Sequence, residues 1–177
     1  MKAGGIWSKI GKWRPDWLTV VLLGLIVYVW FRPPAWVSDE NRAAPDIRVV
    51  LLDGRQIRLA DLHGKVVLVN FWATWCPYCR HEMPDMARFY RDHHAQGFEI
   101  LALSQDDTAE PVRRFLASES DLFPVAMADA NHTAAFDGVS RLPTSFLIDR
   151  QGRVRHKISG QVHYRRLEDL AGPLLAE

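Results

Sequence analysis

Two cysteines three positions apart are the residues of this 177-residue chain best suited to covalent chemistry. They stand in the sequence Cys76-Pro77-Tyr78-Cys79, and the chain contains no other cysteine. Any disulfide to another protein must therefore use this pair. A secreted scaffold held together by structural disulfides would use more cysteines at wider spacing. The pair indicates redox chemistry rather than a structural role.

The position of Cys76 favours a reactive thiolate. An apolar run at residues 66–72 is typical of a central strand buried on both faces, and an amphipathic helix is predicted from Cys76 to about His94. The beginning of a helix stabilises an anion, and the thiolate is the attacking species in disulfide exchange. Pro77 suits the first turn because its missing N–H would be unpaired there. We expect Cys76 to attack a client and Cys79, one turn later and more shielded, to resolve the mixed disulfide.

Two other uses of the pair are a static disulfide and half of a metal site. A static bridge would close so small a loop that it would restrain the unfolded chain little. A zinc site would need two further ligands, normally cysteine or histidine. The obvious candidate, His81, points about 200° around the helix from Cys79. We therefore predict a redox pair without a metal ion or a bound cofactor.

The elements predicted around the cysteines alternate between strands and helices. A β-hairpin at residues 47–59 turns at Asp53-Gly54. Further strands are predicted at 98–104, 123–128, 145–149 and 154–158, and helices at 110–118, 133–136 and 164–176, the last interrupted near Gly172-Pro173. This order predicts one α/β domain over residues 47–177, with a mixed central sheet flanked by helices.

An uncharged stretch near the N-terminus predicts a membrane anchor. Residues 17–31, WLTVVLLGLIVYVWF, would form a helix about 22 Å long, which is shorter than a hydrocarbon core of about 30 Å. Tryptophan and arginine residues at both flanks suit the headgroup layers and help such a helix to span. A cleaved signal peptide and a buried core helix are the alternatives. We expect a single N-terminal transmembrane helix in contact with the lipid bilayer.

The charges around this stretch predict its orientation. Four cations precede it, Lys2, Lys9, Lys12 and Arg14, whereas charges of both signs follow it. The positive-inside rule then predicts a cytoplasmic N-terminus at residues 1–16 and a catalytic domain on the periplasmic side of the bacterial cytoplasmic membrane. Residues 32–46, with three prolines and several charges, are predicted to form a short, semi-extended linker. The net charge of +1 gives no electrostatic reason to expect nucleic acid as a partner.

Two sequence motifs in the soluble part resemble those of a known family. Residues 67–84, VLVNFWATWCPYCRHEMP, resemble the active-site stretch of TlpA/ResA-type thiol–disulfide oxidoreductases, which have a thioredoxin-like fold. Residues 142–149, LPTSFLID, resemble the cis-proline loop of the same family. The similarity runs from about Pro45 to the C-terminus. It implies a thioredoxin-like fold and an enzyme that exchanges thiols and disulfides.

The resemblance also implies a surface that binds clients. Pro143 would be a cis proline that lies against the disulfide, and the extended backbone at Leu142 would pair with the client segment that carries a cysteine. Trp75, Pro77 and Tyr78 complete this predicted substrate-binding surface, with Trp75 shielding the site.

Glu82 is the third predicted catalytic residue. It lies three positions after Cys79, hence on nearly the same face of the helix, and the family pattern has an acid at this position. If it is partly buried and its pKa is raised, it could accept or return the proton of Cys79. Asn70, where thioredoxins carry an aspartate, cannot titrate. Pro84 matches the proline that bends the active-site helix.

The resemblance leaves the direction of electron flow open, and our hypothesis is a reductase. Family members chiefly receive electrons from a membrane thiol transporter and reduce cysteines of apocytochrome c or of metal sites. We therefore expect client proteins with cysteine pairs and a membrane electron donor. An oxidase of the same fold, a copper or zinc carrier and a peroxiredoxin-like peroxidase are the alternatives.

Overall fold

The computed structural model describes residues 17–31, 37–118 and 123–177. The chain divides into two units, residues 1–35 and residues 36–177. In the first unit the structure describes one helix, α1 (Trp17–Phe31). Within the described ranges, no helix is both long and apolar enough to cross a membrane. The structure therefore does not confirm the predicted transmembrane anchor, and the flanking residues 1–16 and 32–36 lie outside the described part.

The second unit is built on a mixed six-stranded sheet with the strand order β1-β8-β7-β4-β5-β6. Strand β4 pairs in parallel with β5 and antiparallel with β7, so it lies in the middle of the sheet. Strands β2 and β3 form a separate antiparallel hairpin, as predicted. The strands are β1 (Val37–Ala43), β2 (Arg48–Val50), β3 (Gln56–Arg58), β4 (Val66–Trp72), β5 (Phe98–Ser104), β6 (Val125–Met127), β7 (Thr144–Ile148) and β8 (Arg153–Ser159).

Helices cover the sheet, as the predicted mixed α/β fold requires. They are α2 (Pro77–His93), α3 (Ala109–Ala117), α4 (Ala130–Ala135) and α5 (Tyr164–Ala176), together with short 3₁₀ turns at Leu59–Leu62 and His94–Gln96. The predicted interruption of α5 near Gly172-Pro173 is wrong, because the helix continues through Pro173. Pro173 lies close to the C-terminal end of α5, so only residues 174–176 of the helix follow the backbone hydrogen bond that it cannot donate.

The two faces of β4 belong to two separate hydrophobic cores. Side chains alternate along a strand, so Val66, Leu68 and Trp72 point to one face. They join a cluster with residues of α2 and α5. Val67 and Val69 point to the other face and pack with the hairpin. This alternation turns every second residue of β4 towards the helix that carries the cysteines.

Strand β1 lies within the predicted linker at 32–46, and here the structure differs from the sequence prediction. Val37–Ala43 pairs antiparallel with β8 at the edge of the sheet, with a register shift between Asp39 and Arg42. The prolines and charges of residues 32–46 predicted a short, semi-extended linker. An edge strand can carry such charges because its stability comes from main-chain hydrogen bonds to the neighbouring strand.

Candidate active site

Cys76 and Cys79 form a disulfide at the beginning of α2. Cys76 is the N-cap residue in an extended conformation, and Pro77 opens the helix. The backbone N–H of Cys79 donates a hydrogen bond to the Cys76 Sγ atom at 3.2 Å. Cys76 retains 5% of its accessible surface, whereas Cys79 has none. Cys76 is thus the less buried of the two cysteines, and an amide of the first helical turn stabilises negative charge on its sulfur.

Glu82 is completely buried one turn after Cys79. Its carboxyl accepts hydrogen bonds from Asn70 Nδ2 at 2.9 Å and from the Val162 N–H at 2.8 Å. Removal from water raises the pKa of Glu82 to about 8, although both hydrogen bonds act in the opposite direction. A carboxyl with this pKa holds its proton at neutral pH and can release it at little cost, as a general acid–base group requires.

Asn70 can serve both protonation states of Glu82. It points towards α2 because it has the same alternation as Val66 and Leu68, and it lies opposite Ser145 on β7. Its Nδ2 atom donates to both Glu82 and the Ser145 hydroxyl. Rotation of the amide by 180° would present Oδ1 to a protonated Glu82, and the serine hydroxyl can donate as well as accept. Ser145 was not recognised as a site residue in the sequence.

The cis-proline loop precedes β7. The Leu142–Pro143 peptide bond is cis, which confirms the predicted geometry. Pro143 is buried, and its carbonyl accepts a hydrogen bond from the Gly160 N–H at 2.8 Å. Leu142 is partly buried and packs against the cluster that contains both cysteines. The structure therefore brings this loop and the cysteine pair to the same core.

Two large aromatic side chains are exposed beside the disulfide. Trp75 and Tyr78 each retain 66% of their accessible surface, and they flank Cys76 in the sequence. The Tyr78 carbonyl accepts a hydrogen bond from Gln161 Nε2 at 3.0 Å, which ties the first turn of α2 to the loop before α5. Exposed aromatic side chains around a reactive sulfur give a surface on which an extended polypeptide can pack.

Comparison with known proteins identifies the family. The family described as Redoxin matches residues 39–171, three quarters of the chain. The chain belongs to the redoxin family. It is 38% identical over 146 residues to the thiol-disulfide oxidoreductase ResA of Bacillus anthracis, with 82% of this chain and 84% of the relative covered. It is 37% identical over 132 residues to ResA of Bacillus subtilis, with 74% and 73% covered.

Solved structures agree with this assignment. A putative thiol:disulfide interchange protein DsbE from Chlorobium tepidum superposes with a TM-score of 0.70 at 34% identity, covering 77% of this chain and 98% of that one. A thioredoxin family protein from the same organism has a TM-score of 0.72 at 31% identity, with 78% and 99% covered. The chain is therefore a thiol–disulfide oxidoreductase of the ResA/TlpA type with a thioredoxin-like fold.

A buried carboxylate that sequence reasoning missed fixes the loop before Cys76. Asp106 accepts hydrogen bonds from the Thr74 N–H at 2.9 Å, the Thr74 hydroxyl at 2.5 Å and the Ser104 hydroxyl at 2.7 Å. It follows β5, which runs parallel to β4, so both strands end at the same edge of the sheet. This placement could have revealed Asp106, because residues that follow neighbouring parallel strands meet at one edge.

Among residues 17–31, 37–118 and 123–177, no three His, Cys, Asp or Glu side chains are grouped as a metal site would require. Both thiol ligands are joined in the disulfide.

Proposed function

We propose that this oxidoreductase reduces disulfides of extracytoplasmic client proteins, with Cys76 as the attacking sulfur. The observation that carries the proposal is that Cys79 and Glu82 are completely buried one turn apart, whereas Cys76 retains 5% of its accessible surface. This arrangement gives the two cysteines different tasks, because only Cys76 can meet the disulfide of a large partner.

The reaction begins with the dithiol form of the protein. The Cys76 thiolate attacks one sulfur of the client disulfide, a mixed disulfide forms, and the other client sulfur leaves as a thiolate. Cys79 then attacks the Cys76 Sγ atom, which closes the internal disulfide and releases the first client sulfur. Two electrons pass from the cysteine pair to the client.

Glu82 accepts the proton that Cys79 must lose before it attacks. In the disulfide form the pKa of this carboxyl is about 8, because burial disfavours its charged state, so it holds a proton at neutral pH. This is the state expected after the Cys79 proton has been transferred. When the disulfide is reduced again, Glu82 returns the proton to Cys79.

Clients bind across the exposed rim of the site. Trp75, Pro77 and Tyr78 offer apolar contact area next to Cys76, and all three are exposed. The backbone at Leu142 and Pro143 pairs with the client segment that carries the cysteine. We propose cysteine pairs of apocytochrome c or of metal sites as the clients, and a membrane thiol transporter as the electron donor, on the strength of the family motifs at residues 67–84.

The direction of electron flow is tested by a redox titration. Reducing thioredoxins have potentials near −270 mV, whereas a strongly oxidising relative lies near −120 mV. We expect the Cys76–Cys79 couple towards the reducing end, measured by equilibration with glutathione or dithiothreitol buffers and alkylation of free thiols. A potential near −120 mV would contradict the reductase and favour the disulfide-donating oxidase.

The identity of the clients is tested by trapping. A Cys79→Ser variant cannot resolve the mixed disulfide, so clients should stay linked to Cys76 in native membranes. Cys76→Ser is the matched control. It lacks the attacking sulfur, so it should trap no client at position 76. Recovery of the same linked proteins with both variants, or with neither, would contradict the assigned roles of the two cysteines.

We also propose that residues 17–31 anchor the enzyme in the bacterial cytoplasmic membrane with the catalytic domain outside. The uncharged sequence and the exposure of apolar side chains at residues 17–26 of α1, apart from the half-buried Thr19, support this location. Protease added to intact spheroplasts should then digest the domain, while a cytoplasmic marker protein survives. Protection of the domain until the membrane is lysed would refute the proposed orientation.

A further inference from the structure

An open groove lies beside the first turns of α2. Its volume is about 450 Å³, and it is lined by Pro77, Arg80, His81, Met83, Pro84 and Phe115. We call it the α2–α3 groove, because Phe115 belongs to α3 and the other residues to α2. The groove begins at the residue next to Cys76. A client whose cysteine reaches Cys76 therefore brings the neighbouring residues of its own chain to this groove.

The charges that the described lining residues of the groove can carry have one sign. Arg80 and His81 are the lining residues that can carry charge, and both are basic. Arg80 is exposed, and its guanidinium lies 5.9 Å from the centroid of the Phe115 ring. Within the described part of the chain it forms no ion pair, whereas Arg114 on α3 is paired with Glu110 at 2.8 Å. Among the described residues, the groove thus presents a guanidinium within cation–π distance of an aromatic ring and without a carboxylate partner.

We propose that the α2–α3 groove binds the client segment next to the reactive cysteine and favours segments with an aspartate or glutamate there. The inference rests on the proposed reduction of client disulfides and names one class of client for it. It concerns the sequence around the client cysteine, not the chemistry of exchange.

The geometry supports an acidic rather than a neutral or basic segment. A guanidinium donates two parallel hydrogen bonds to a carboxylate, and its contact with Phe115 reduces the freedom it would lose on binding. Met83, Phe115 and the prolines supply apolar walls for the rest of the segment. An attraction at the rim of an interface acts mainly on the rate of encounter. For one exposed ion pair we expect a preference of about two- to five-fold.

The test compares disulfide peptides that differ in one side chain. Each peptide carries Asp, Asn or Lys two positions before or two positions after its cysteine, and the rest of its sequence is constant. The reduced full chain in detergent reacts with each peptide, and the second-order rate constant is followed by stopped-flow tryptophan fluorescence. The Asp peptide should react about two- to five-fold faster than the Asn peptide in at least one position, and the Lys peptide more slowly.

Arg80→Gln should bring the ratio of the Asp and Asn rates close to one. Arg80 lies one turn after Cys76, and its N–H donates to the Cys76 carbonyl at 3.2 Å, so the substitution can also change the reactivity of the thiolate. The ratio between peptides cancels that effect because it is common to all of them. Arg88→Gln is the matched control, since Arg88 lies on the same helix 3.9 Å from the Tyr164 ring centroid but does not line the groove. It should keep the preference.

Salt provides a second measurement that needs no variant. At about 1 M salt the screening length is roughly 3 Å, so the wild-type ratio should fall towards one. Equal rates for Asp and Asn peptides at low salt, or a preference that survives in Arg80→Gln, would overturn the inference. Failure of every peptide to be reduced would instead overturn the proposed function and, with it, the inference.

Discussion

The buried carboxyl of Glu82 makes the stability of the fold depend on pH. Its pKa is about 8 in the folded protein, because burial disfavours the charge, and near 4.5 when the chain is unfolded. Between these values the folded state binds one proton more than the unfolded state, so stability falls as pH rises. The favourable contribution is fully present below about 4.5 and is lost progressively as pH approaches 8. Glu82→Gln removes this titration while it keeps the size and the polar character of the side chain.

The magnitude follows from the two pKa values. At about 1.4 kcal/mol per pKa unit, the difference between about 8 and 4.5 corresponds to about 5 kcal/mol over the whole titration. Between about pH 5.5 and about pH 8.5, the range of ordinary buffers, the change in unfolding free energy due to Glu82 is about 3 kcal/mol. The wild type should lose this amount of unfolding free energy relative to Glu82→Gln over the same interval.

Denaturant titrations of the purified chain with its disulfide closed measure this difference. Unfolding free energies are determined for wild type and Glu82→Gln at several pH values, and the two curves are subtracted so that groups common to both cancel. Glu168→Gln, an exposed substitution on α5, is the control and should run parallel to the wild type. If the Glu82→Gln curve also runs parallel to that of the wild type, the pKa of Glu82 is not raised. The role of Glu82 as the proton acceptor for Cys79 would then be refuted as well.

Three further substitutions have defined outcomes. Glu82→Gln should prolong the lifetime of a mixed disulfide between Cys76 and a model thiol by about 10²-fold at neutral pH, measured by rapid alkylation quench. Asp106→Ala should lower the unfolding free energy by about 3 kcal/mol in denaturant titrations, because three donors lose their charged acceptor. Arg150→Ala should cost about 2 kcal/mol, since its guanidinium donates to the carbonyls of Gly64, Gln96 and Leu175.

Each of the two stability predictions has a matched control. Asp107→Ala removes a neighbouring but exposed carboxylate and should leave the unfolding free energy nearly unchanged. Arg153→Ala removes an exposed arginine three positions after Arg150 and should likewise change little. If a variant and its control lose the same unfolding free energy, the hydrogen bonds of Asp106 or of Arg150 do not contribute to the stability of the fold.

The centre of the fold could be predicted from the sequence because complete burial leaves a strong pattern. Strands β4 and β5 are buried at every position, and their apolar runs at 66–72 and 98–104 match the observed bounds. The edge strand β1 could not be predicted in this way. Its sequence VSDENRA has no apolar run and no alternation of apolar and polar residues. Its partner strand β8 lies more than a hundred residues later in the chain.

The candidate site was predictable where its residues are close in sequence. Cys76, Cys79 and Glu82 occupy one helical face at a spacing that can be read directly. The partners of Glu82 were not predictable, because the Val162 N–H reaches it across 80 residues and folding alone brings them together. Asn70 was noticed only as a residue that cannot titrate. Its hydrogen bond to Glu82 depends on how α2 packs on β4, and no local sequence pattern predicts that packing.

The edges of the six-stranded sheet bear on how this enzyme handles its clients. At one edge, β6 has three residues, and the hairpin region covers it through the Leu51–Ala126 bridge and the Leu52 N–H bond to Val125. At the other, β1 carries charged residues and a register shift. Long apolar edges recruit extended polypeptides into mixed sheets and aggregates. A thiol–disulfide oxidoreductase that meets incompletely folded cysteine-containing chains can therefore release them after exchange instead of accumulating them along its own backbone.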